Sequence, residues 1–293
     1  MALSVDANWP RAGNWPTPDG SAVDVALVGL PTWRTSLSTS GAGATPAAVR
    51  EALRYYSEFA AGRALETRFA DWGDALEPDA HEAEATALVA RAAALSQLVI
   101  AVGGDNAATV AAALGSWGTR VGTAGLVTLD AHHDLREGVS NGSPVRRLIE
   151  AGLAATRVVQ IGIADFANSA YYAARAADYG ITVIHRDELH RRPMAEVMAE
   201  AFEIAGAAGG PVHVDLDVDV CDRSVAPACP ASLPGGIAAH ELRAAARAAG
   251  ADSRVESIDI TEVDATADAP DGRTVRLVAL CILEAAAGLR GRS

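Results

Sequence analysis

Short apolar runs alternate with longer Ala-rich stretches along most of the chain. Runs such as LVIAV and GLVTL are apolar at every position, which is typical of parallel strands buried on both faces of a sheet. We predict eight strands, at Val23–Gly29, Arg68–Asp71, Leu98–Val102, Gly125–Asp130, Val158–Ile163, Ile181–Ile184, Val212–Asp217 and Val255–Ile260.

The stretches between these strands have helical character, and Thr45-Pro46 has the cap-then-proline order of a helix start. Strands that alternate with helices predict an α/β fold with a parallel sheet covered on both faces. No linker divides the chain and no fixed repeat occurs, so we expect one domain over residues 1–293. The predicted helices are Pro46–Phe59, His81–Ser96, Ala107–Trp117, Pro144–Gly152, Ser169–Tyr179, Met194–Ala207, His240–Ala249 and Thr274–Leu289.

The charge balance excludes several classes of function. The chain has 37 acidic residues and 24 basic ones, for a net charge of -13, and every basic residue is Arg. A nucleic-acid surface needs clustered positive charge, so none is expected. Without Lys, Schiff-base chemistry and a phosphate-loop Lys are also excluded.

The cellular location is predicted from what the sequence lacks. No apolar run reaches the length of about 18 residues needed to span a membrane, and the N-terminal MALSVDANWPRAGNWP does not have the pattern of a signal peptide. We therefore expect a soluble, cytoplasmic protein. Cys221, Cys229 and Cys281 are expected to be thiols in that compartment, although the first two are close enough in sequence to bridge.

Four of the predicted strands end in polar motifs, which are Gly-Gly-Asp-Asn at 103–106, Asp-Ala-His-His-Asp at 130–134, Asp-Leu-Asp-Val-Asp at 215–219 and Thr-Glu-Val-Asp at 261–264. Ligands bind beyond the carboxyl ends of parallel strands, so these motifs mark a candidate site. A single Asp at a strand end is usually a helix cap or a solvated loop residue.

Alternation within the second and third motifs favours a metal site over caps. Asp130, His132 and Asp134 project to one side of an extended chain, and Asp217 and Asp219 repeat the pattern. Converging carboxylates repel one another unless a cation neutralises them. This many oxygen ligands with one imidazole suits Mn²⁺ better than Zn²⁺, and bridging carboxylates could hold two ions about 3.5–4 Å apart.

The motifs DAHHD, then DLDVD with a downstream P-x-C-P-A-x-x-P-G-G loop, then DITEVD resemble the ureohydrolase superfamily of arginases, agmatinases, guanidino-acid hydrolases and formimidoylglutamases. The resemblance covers nearly the whole chain. It implies a three-layer α/β/α fold with an eight-stranded parallel sheet, two Mn²⁺ per subunit, and assembly into trimers or hexamers.

The resemblance also implies two ligand sets. One Mn²⁺ would take Asn106, Asp130, Asp134 and Asp217. The other would take Asp130, His132, Asp217 and Asp219, so that Asp130 and Asp217 bridge. Asn106 stands where most members have His, and an amide oxygen is a weaker ligand, so the first Mn²⁺ should be held more loosely. Asp215 is expected behind the ligands, His133 is expected either behind them or in the wall of the site, and Asp105 is expected to orient the backbone.

Substrate choice follows from the loop after the second motif. The run Ser140-Asn141-Gly142-Ser143-Pro144 after Asp-Leu-Arg resembles formimidoylglutamases, and Ala167 stands where arginases place an Asp that binds the substrate ammonium. We expect Ser140, Asn141 and Gly142 to contact substrate. Asn168, Ser169 and Tyr172 could line the same mouth.

Two charged side chains are assigned to the ends of the substrate. Arg136 could clamp a substrate carboxylate; the alternative is a surface ion pair with Glu137 or Glu150. Glu262 matches the family's acidic residue for the amidine end, and its alternative is a buried ion pair with an Arg. Arg146 and Arg147 are expected at the surface.

The leading hypothesis is a formimidoylglutamase that cleaves N-formimidoyl-L-glutamate to glutamate and formamide, a late step of histidine breakdown. The resemblance assigns proton transfer to Asp134 and substrate binding to Glu262. Two alternatives remain, which are another ureohydrolase acting on a guanidino compound with release of urea, and a non-catalytic metal-binding member.

Overall fold

The structure is a computed structural model and describes residues 6–292. Residues 1–5 lie outside the described residues, as does Ser293. These five residues begin the N-terminal stretch in which no signal peptide is expected. The strands are β1 (Val23–Leu30), β2 (Phe59–Ala60), β3 (Arg63–Ala64), β4 (Phe69–Asp74), β5 (Ser96–Gly103), β6 (Gly125–Leu129), β7 (Val158–Ile163), β8 (Thr182–His185), β9 (Val212–Asp217) and β10 (Val255–Thr261).

The helices between and after these strands vary in length from one turn to five. They are α1 (Thr45–Leu53), α2 (Glu82–Ala93), α3 (Ala108–Trp117), α4 (Pro144–Glu150), α5 (Ala170–Tyr179), α6 (Arg186–Leu189), α7 (Met194–Ala205), α8 (Ala239–Ala251) and α9 (Arg273–Leu289).

Eight strands form one sheet in the order β4-β1-β5-β10-β9-β6-β7-β8. Every pairing in it is parallel. Alternate side chains of β1 enter opposite cores, with Val25 and Leu27 on the face of α1, α7, α8 and α9, and Ala26 and Val28 on the face of α2 and α3. The predicted three-layer α/β fold with an eight-stranded parallel sheet is confirmed.

The predicted helix Pro46–Phe59 is too long. α1 ends at Leu53, and Phe59–Ala60 pairs with Arg63–Ala64 in an antiparallel hairpin. Ala61 and Gly62 between them both have positive φ, at 50° and 79°, the backbone that a two-residue hairpin turn requires. The short helix α6 was not predicted either.

Two further predictions can be compared with the structure. Cys221, Cys229 and Cys281 are buried and unpaired, so the prediction of thiols is confirmed. Within residues 6–292, no helix combines the length and apolar character needed to cross a bilayer.

Candidate metal and substrate site

The four polar motifs meet because their strands are neighbours at the centre of the sheet, in the order β5-β10-β9-β6. Asn106 follows β5, Asp130 follows β6, Asp217 ends β9, and Glu262 follows β10. All four side chains belong to buried residues. Parallel strands deliver their carboxyl ends to one edge, so residues up to 156 positions apart lie in contact there.

Five potential metal-ligating residues form two groups at this edge. Asp130, His132 and Asp219 make one group, and Asp130, Asp134 and Asp217 make the other, with the ligand atoms of each group within 4.8 Å of one another. Asp130 is common to both. The two groups fall within the two ligand sets implied by the sequence.

The carboxylates of these groups receive hydrogen bonds from backbone amides. The Ala131 amide donates to Asp219 at 3.1 Å, the His132 amide to Asp130 at 2.6 Å, and the Asp219 amide to Asp217 at 2.8 Å. His132 Nδ1 lies 2.9 Å from Asp219 and 3.4 Å from Asp130. No Arg of residues 6–292 forms an ion pair with any of these carboxylates.

The acid–base properties of the cluster reflect an excess of carboxylates over one cationic side chain, His132, which lies 2.9 Å from Asp219 and holds the pKa of Asp219 below its usual value although burial opposes this. Burial and the Asp219 carboxylate raise the pKa of Asp130 to about 6, and burial with neighbouring carboxylates raises the pKa of Asp134 and Asp217 well above the usual Asp value. Burial opposes the charged form of His132, but Asp219 and Asp130 raise its pKa to about 12. Buried carboxylates that receive hydrogen bonds but no Arg ion pair suit divalent cations, which prefer oxygen ligands.

Asn106 lies beside this cluster with its amide nitrogen towards it. Its Nδ2 donates to Asp134 at 2.6 Å, while its Oδ1 accepts from the hydroxyls of Thr109 at 2.6 Å and Thr261 at 3.0 Å. For the oxygen to face a metal beside Asp134, the amide would have to turn over. Ligation by Asn106 therefore stays a prediction.

Asp134 and Glu262 both have left-handed backbone, with φ of 52° and 61°. This conformation is unfavourable for residues with a side chain and persists only where neighbouring structure holds it. Around Glu262, the Val263 amide donates to the Gly104 carbonyl at 3.2 Å, and Thr45 Oγ1 donates to the Val263 carbonyl. The turn after β10 is thus fixed by the loop after β5 and by the start of α1.

Glu262 has one carboxylate oxygen held by the protein. Its Oε1 accepts from the Asn106 backbone amide at 2.8 Å and from Asn141 Nδ2 at 2.7 Å, while no donor among the described residues reaches Oε2. Burial and the Asp105 carboxylate raise the pKa of Glu262 to about 8. No Arg of the described chain is paired with it, so the alternative of a buried ion pair is wrong.

A cavity of about 410 Å³ opens above the cluster. Its floor includes Asp134, Asp217 and Glu262, and its wall includes Arg136 and Asn141. The floor is acidic and the wall carries a cation, so one molecule with a positive and a negative end could contact both.

Arg136 is exposed at this wall, and no ion pair involving its guanidinium is formed with the described residues. The two partners that the alternative gave it are both taken: Glu137 pairs with Arg175 at 2.5 Å, and Glu150 pairs with Arg146 at 2.5 Å. The surface-pair alternative is therefore wrong, and the Arg136 cation is available to a ligand.

The loop of Ser140, Asn141 and Gly142 contributes to the pocket unevenly. Asn141 and Gly142 line the cavity, whereas Ser140 is buried behind it and its hydroxyl accepts from the Gly142 amide at 3.3 Å. Asn141 Oδ1 accepts from the Leu37 amide at 3.0 Å, so both ends of its side chain contact protein. Ser140 shapes the loop instead of contacting the cavity.

Arg146 corrects a sequence prediction. It was expected at the surface, but it is buried and donates to the carbonyls of Arg136 at 2.6 Å and of Gly138. Arg147 is half-buried and makes two hydrogen bonds to Glu82. Both residues fix α4 and the loop before it because a guanidinium can satisfy several backbone or carboxylate oxygens at once.

Asp105, Asp215 and His133 are all buried, and His133 also lines the cavity. Asp105 accepts from Ser36 at 2.8 Å and from the Ala107 amide at 3.2 Å, and Asp215 is fully buried with a contact of 3.4 Å to Thr261. His133 pairs with Gln160 at 2.7 Å. Sequence reasoning missed Gln160, since an amide inside a strand gives no motif.

Known proteins with similar sequences identify the family of this chain. The family model described as the arginase family matches residues 23–288. The chain belongs to the arginase family. This arginase-family hydrolase is 32% identical to a formimidoylglutamase of Halalkalibacterium halodurans over 280 residues, which cover 90% of the chain and 88% of the relative.

Solved structures of the family are also similar. A formimidoylglutamase structure from Bacillus subtilis superposes with a TM-score of 0.91 at 27% identity, covering 99% of this chain and 95% of the other. A structure of Trypanosoma cruzi formiminoglutamase with Mn²⁺ has a TM-score of 0.83 over 92% of this chain and 95% of the other. At 21% identity the second likeness shows the fold alone.

Proposed function

We propose that this arginase-family hydrolase cleaves N-formimidoyl-L-glutamate to glutamate and formamide, with two Mn²⁺ per subunit, as a late step of histidine breakdown. The observation that carries the proposal is the free Arg136 guanidinium at the wall of a cavity whose floor is acidic. A substrate with a cationic amidine at one end and carboxylates at the other matches this separation of charge. The formimidoylglutamase relatives support the same substrate.

Five of the six donors fit the two metal ions as they stand, and the sixth, Asn106, would present its oxygen once its amide turned over. Asn106, Asp130, Asp134 and Asp217 would hold one, and Asp130, His132, Asp217 and Asp219 would hold the other. Support comes from the two groups of ligand atoms within 4.8 Å and from the absence of any ion pair between these carboxylates and an Arg of residues 6–292. Bound divalent ions lower the pKa of a coordinated water from 15.7 to about 7.

Protein side chains would bind and orient the substrate at both ends. Glu262 Oε2 is the free acceptor for an amidine N–H, since Oε1 is already engaged by Asn106 and Asn141. The Arg136 guanidinium would form paired hydrogen bonds with a substrate carboxylate. Asp134 lines the cavity floor, where a carboxylate oxygen can take a proton from the attacking water and return it to the leaving nitrogen.

A further part of the proposal concerns the domain organisation, cellular location and oligomeric state of the protein. We propose one domain over residues 1–293, a cytoplasmic location, and a homo-oligomer that is a trimer or a hexamer. Size-exclusion chromatography with light scattering measures the oligomer directly.

A panel of substrates tests the proposed activity. The protein is loaded with Mn²⁺ and offered formimidoylglutamate, arginine, agmatine and guanidinobutyrate, with formamide and urea assayed separately. Formamide from the first substrate alone is expected. Urea from a guanidino compound alone would replace the proposal with a different ureohydrolase, and no product from any substrate would favour a non-catalytic member.

A further inference from the structure

The segment Ala131–Asp134 after β6 carries two of the proposed ligands on irregular backbone, and Asp134 has a φ of 52°. Neither a helix nor a strand fixes this segment, so its position depends on hydrogen bonds from outside. Ligand geometry at a metal centre depends on such outer contacts, which are often as important as the ligands themselves.

The side chain of Asn168 supplies contacts on both sides of His132. Its Nδ2 donates to the Ala131 carbonyl at 2.8 Å, and its Oδ1 accepts from the His133 amide at 3.1 Å. The same Nδ2 lies 3.2 Å from the carbonyl of Ala164, the first residue after β7. One amide group therefore joins the loop after β7 to the backbone immediately before and after His132.

Gln160 on β7 makes a second contact of the same kind. Its Nε2 donates to the His133 carbonyl at 2.8 Å, and its Oε1 accepts from His133 Nδ1 at 2.7 Å. Gln160 is fully buried. β7 supplies none of the proposed ligands, yet it and the loop after it hold the ligand segment through these two side-chain amides.

We propose that Asn168 is a positioning residue of the metal centre, which fixes the backbone on both sides of His132 and thereby sets the position of that ligand. The proposal rests on the proposed metal centre. Asn168 also lines the cavity, so the same side chain contacts both the cavity and the segment that carries His132.

Metal binding tests this role without reference to activity. Mn²⁺ dissociation constants and stoichiometry are measured for the wild type, Asn168→Ala and the control Gln97→Ala, which removes an exposed amide at the start of β5. Asn168→Ala should weaken one of the two Mn²⁺ by about 10–100-fold, the range for loss of an outer contact. Gln97→Ala should match the wild type.

A double-mutant cycle separates positioning from a general loss of structure. On a His132→Ala background, Asn168→Ala should cause almost no further loss of Mn²⁺ affinity, because the ligand that it positions is absent. If Asn168→Ala fails to fold, Asn168→Asp serves in its place, because it keeps the acceptor for the His133 amide. It should fold and show a loss of Mn²⁺ affinity between those of the wild type and a variant without either contact.

Two results would overturn the inference. Wild-type Mn²⁺ affinity in Asn168→Ala would do so, as would an equal loss on both backgrounds. A wild-type protein that bound no Mn²⁺ would instead contradict the metal centre in the proposed function, and this inference with it. Formation of urea in place of formamide would contradict the proposed substrate and leave the binding result standing.

Discussion

Asn141 Nδ2 donates to Glu262 Oε1 at 2.7 Å, and Asn141 Oδ1 accepts from the Leu37 amide at 3.0 Å. The loop after β6 thereby orients the carboxylate that follows β10. Glu262 lines the cavity, and this contact and the one from the Asn106 amide hold Oε1 while no donor among the described residues reaches Oε2. Asn141, predicted to contact substrate, is therefore placed to act through Glu262.

Asn141→Ala should lower kcat/KM for formimidoylglutamate roughly ten- to hundredfold, because a hydrogen bond to a charged group contributes about 1.5–3 kcal/mol. Asn141→Asp should lower it further, since it sets a like charge against Glu262. Steady-state kinetics measure both. The control is Asn14→Ala, an exposed residue, and equal kinetics for Asn141→Ala and this control would contradict the role.

Arg136→Ala should raise KM for formimidoylglutamate by about tenfold or more and leave kcat nearly unchanged, because a carboxylate clamp contributes equally to ground state and transition state. Arg136→Lys should restore only part of the affinity, since an ammonium group cannot form the paired contact. The matched control is Arg63→Ala in the β2–β3 hairpin, which is exposed. An unchanged KM in Arg136→Ala would contradict the proposed binding of a substrate carboxylate by Arg136.

Mn²⁺ should stabilise the protein more at about pH 8 than at about pH 5.5, since ligands must lose protons before they bind metal. The pKa of Asp130 is raised to about 6 in the folded protein. A raised carboxyl pKa stabilises the metal-free protein at low pH, and this stability is lost as the pH rises through about 6. Mn²⁺ therefore has more to restore at high pH.

Thermal unfolding with and without Mn²⁺ at the two pH values measures the effect. The rise in Tm should be larger at the higher pH, and Asp130→Asn, which removes the shared ligand, should show little rise at either. A larger rise in Tm at the lower pH would contradict the expectation that the carboxylates of the cluster must lose protons before they bind Mn²⁺.

Gly104 lies where three segments of backbone meet. A Cβ there would lie 2.1 Å from the Thr32 carbonyl oxygen and 2.8 Å from the Ala42 carbonyl oxygen. Gly104→Ala should lower the free energy of unfolding by about 1–3 kcal/mol or more, as expected for overpacking. Urea denaturation of the metal-free protein measures this.

Gly122→Ala is the control for Gly104→Ala, because nothing lies within 4 Å of its added Cβ. It should change stability by no more than about 0.5 kcal/mol. Equal stability of the two variants would contradict the close packing of the loops around Gly104.

Periodicity and strand-end motifs were enough to predict the sheet and the meeting of Asp130, Asp217 and Glu262. Local patterns decide these features, because buried parallel strands are apolar throughout and their carboxyl ends share an edge. The prediction of one domain over residues 1–293 remains a prediction.

The sequence could not predict features that depend on distant partners. Arg146 is buried because carbonyls of the preceding loop surround it, and the amide orientation of Asn106 depends on Thr109 and Thr261. Asn168 was assigned only to the cavity mouth, because its contacts with Ala131 and His133 span 37 and 35 positions. No local pattern records such contacts.

The products formed from N-formimidoyl-L-glutamate by the Mn²⁺-loaded protein test the central claim most directly. Glutamate and formamide should appear in equal amounts, because the account places hydrolysis at the bond between the formimidoyl carbon and the glutamate nitrogen. Release of ammonia with N-formylglutamate, or no turnover by protein that has bound both Mn²⁺, would contradict it.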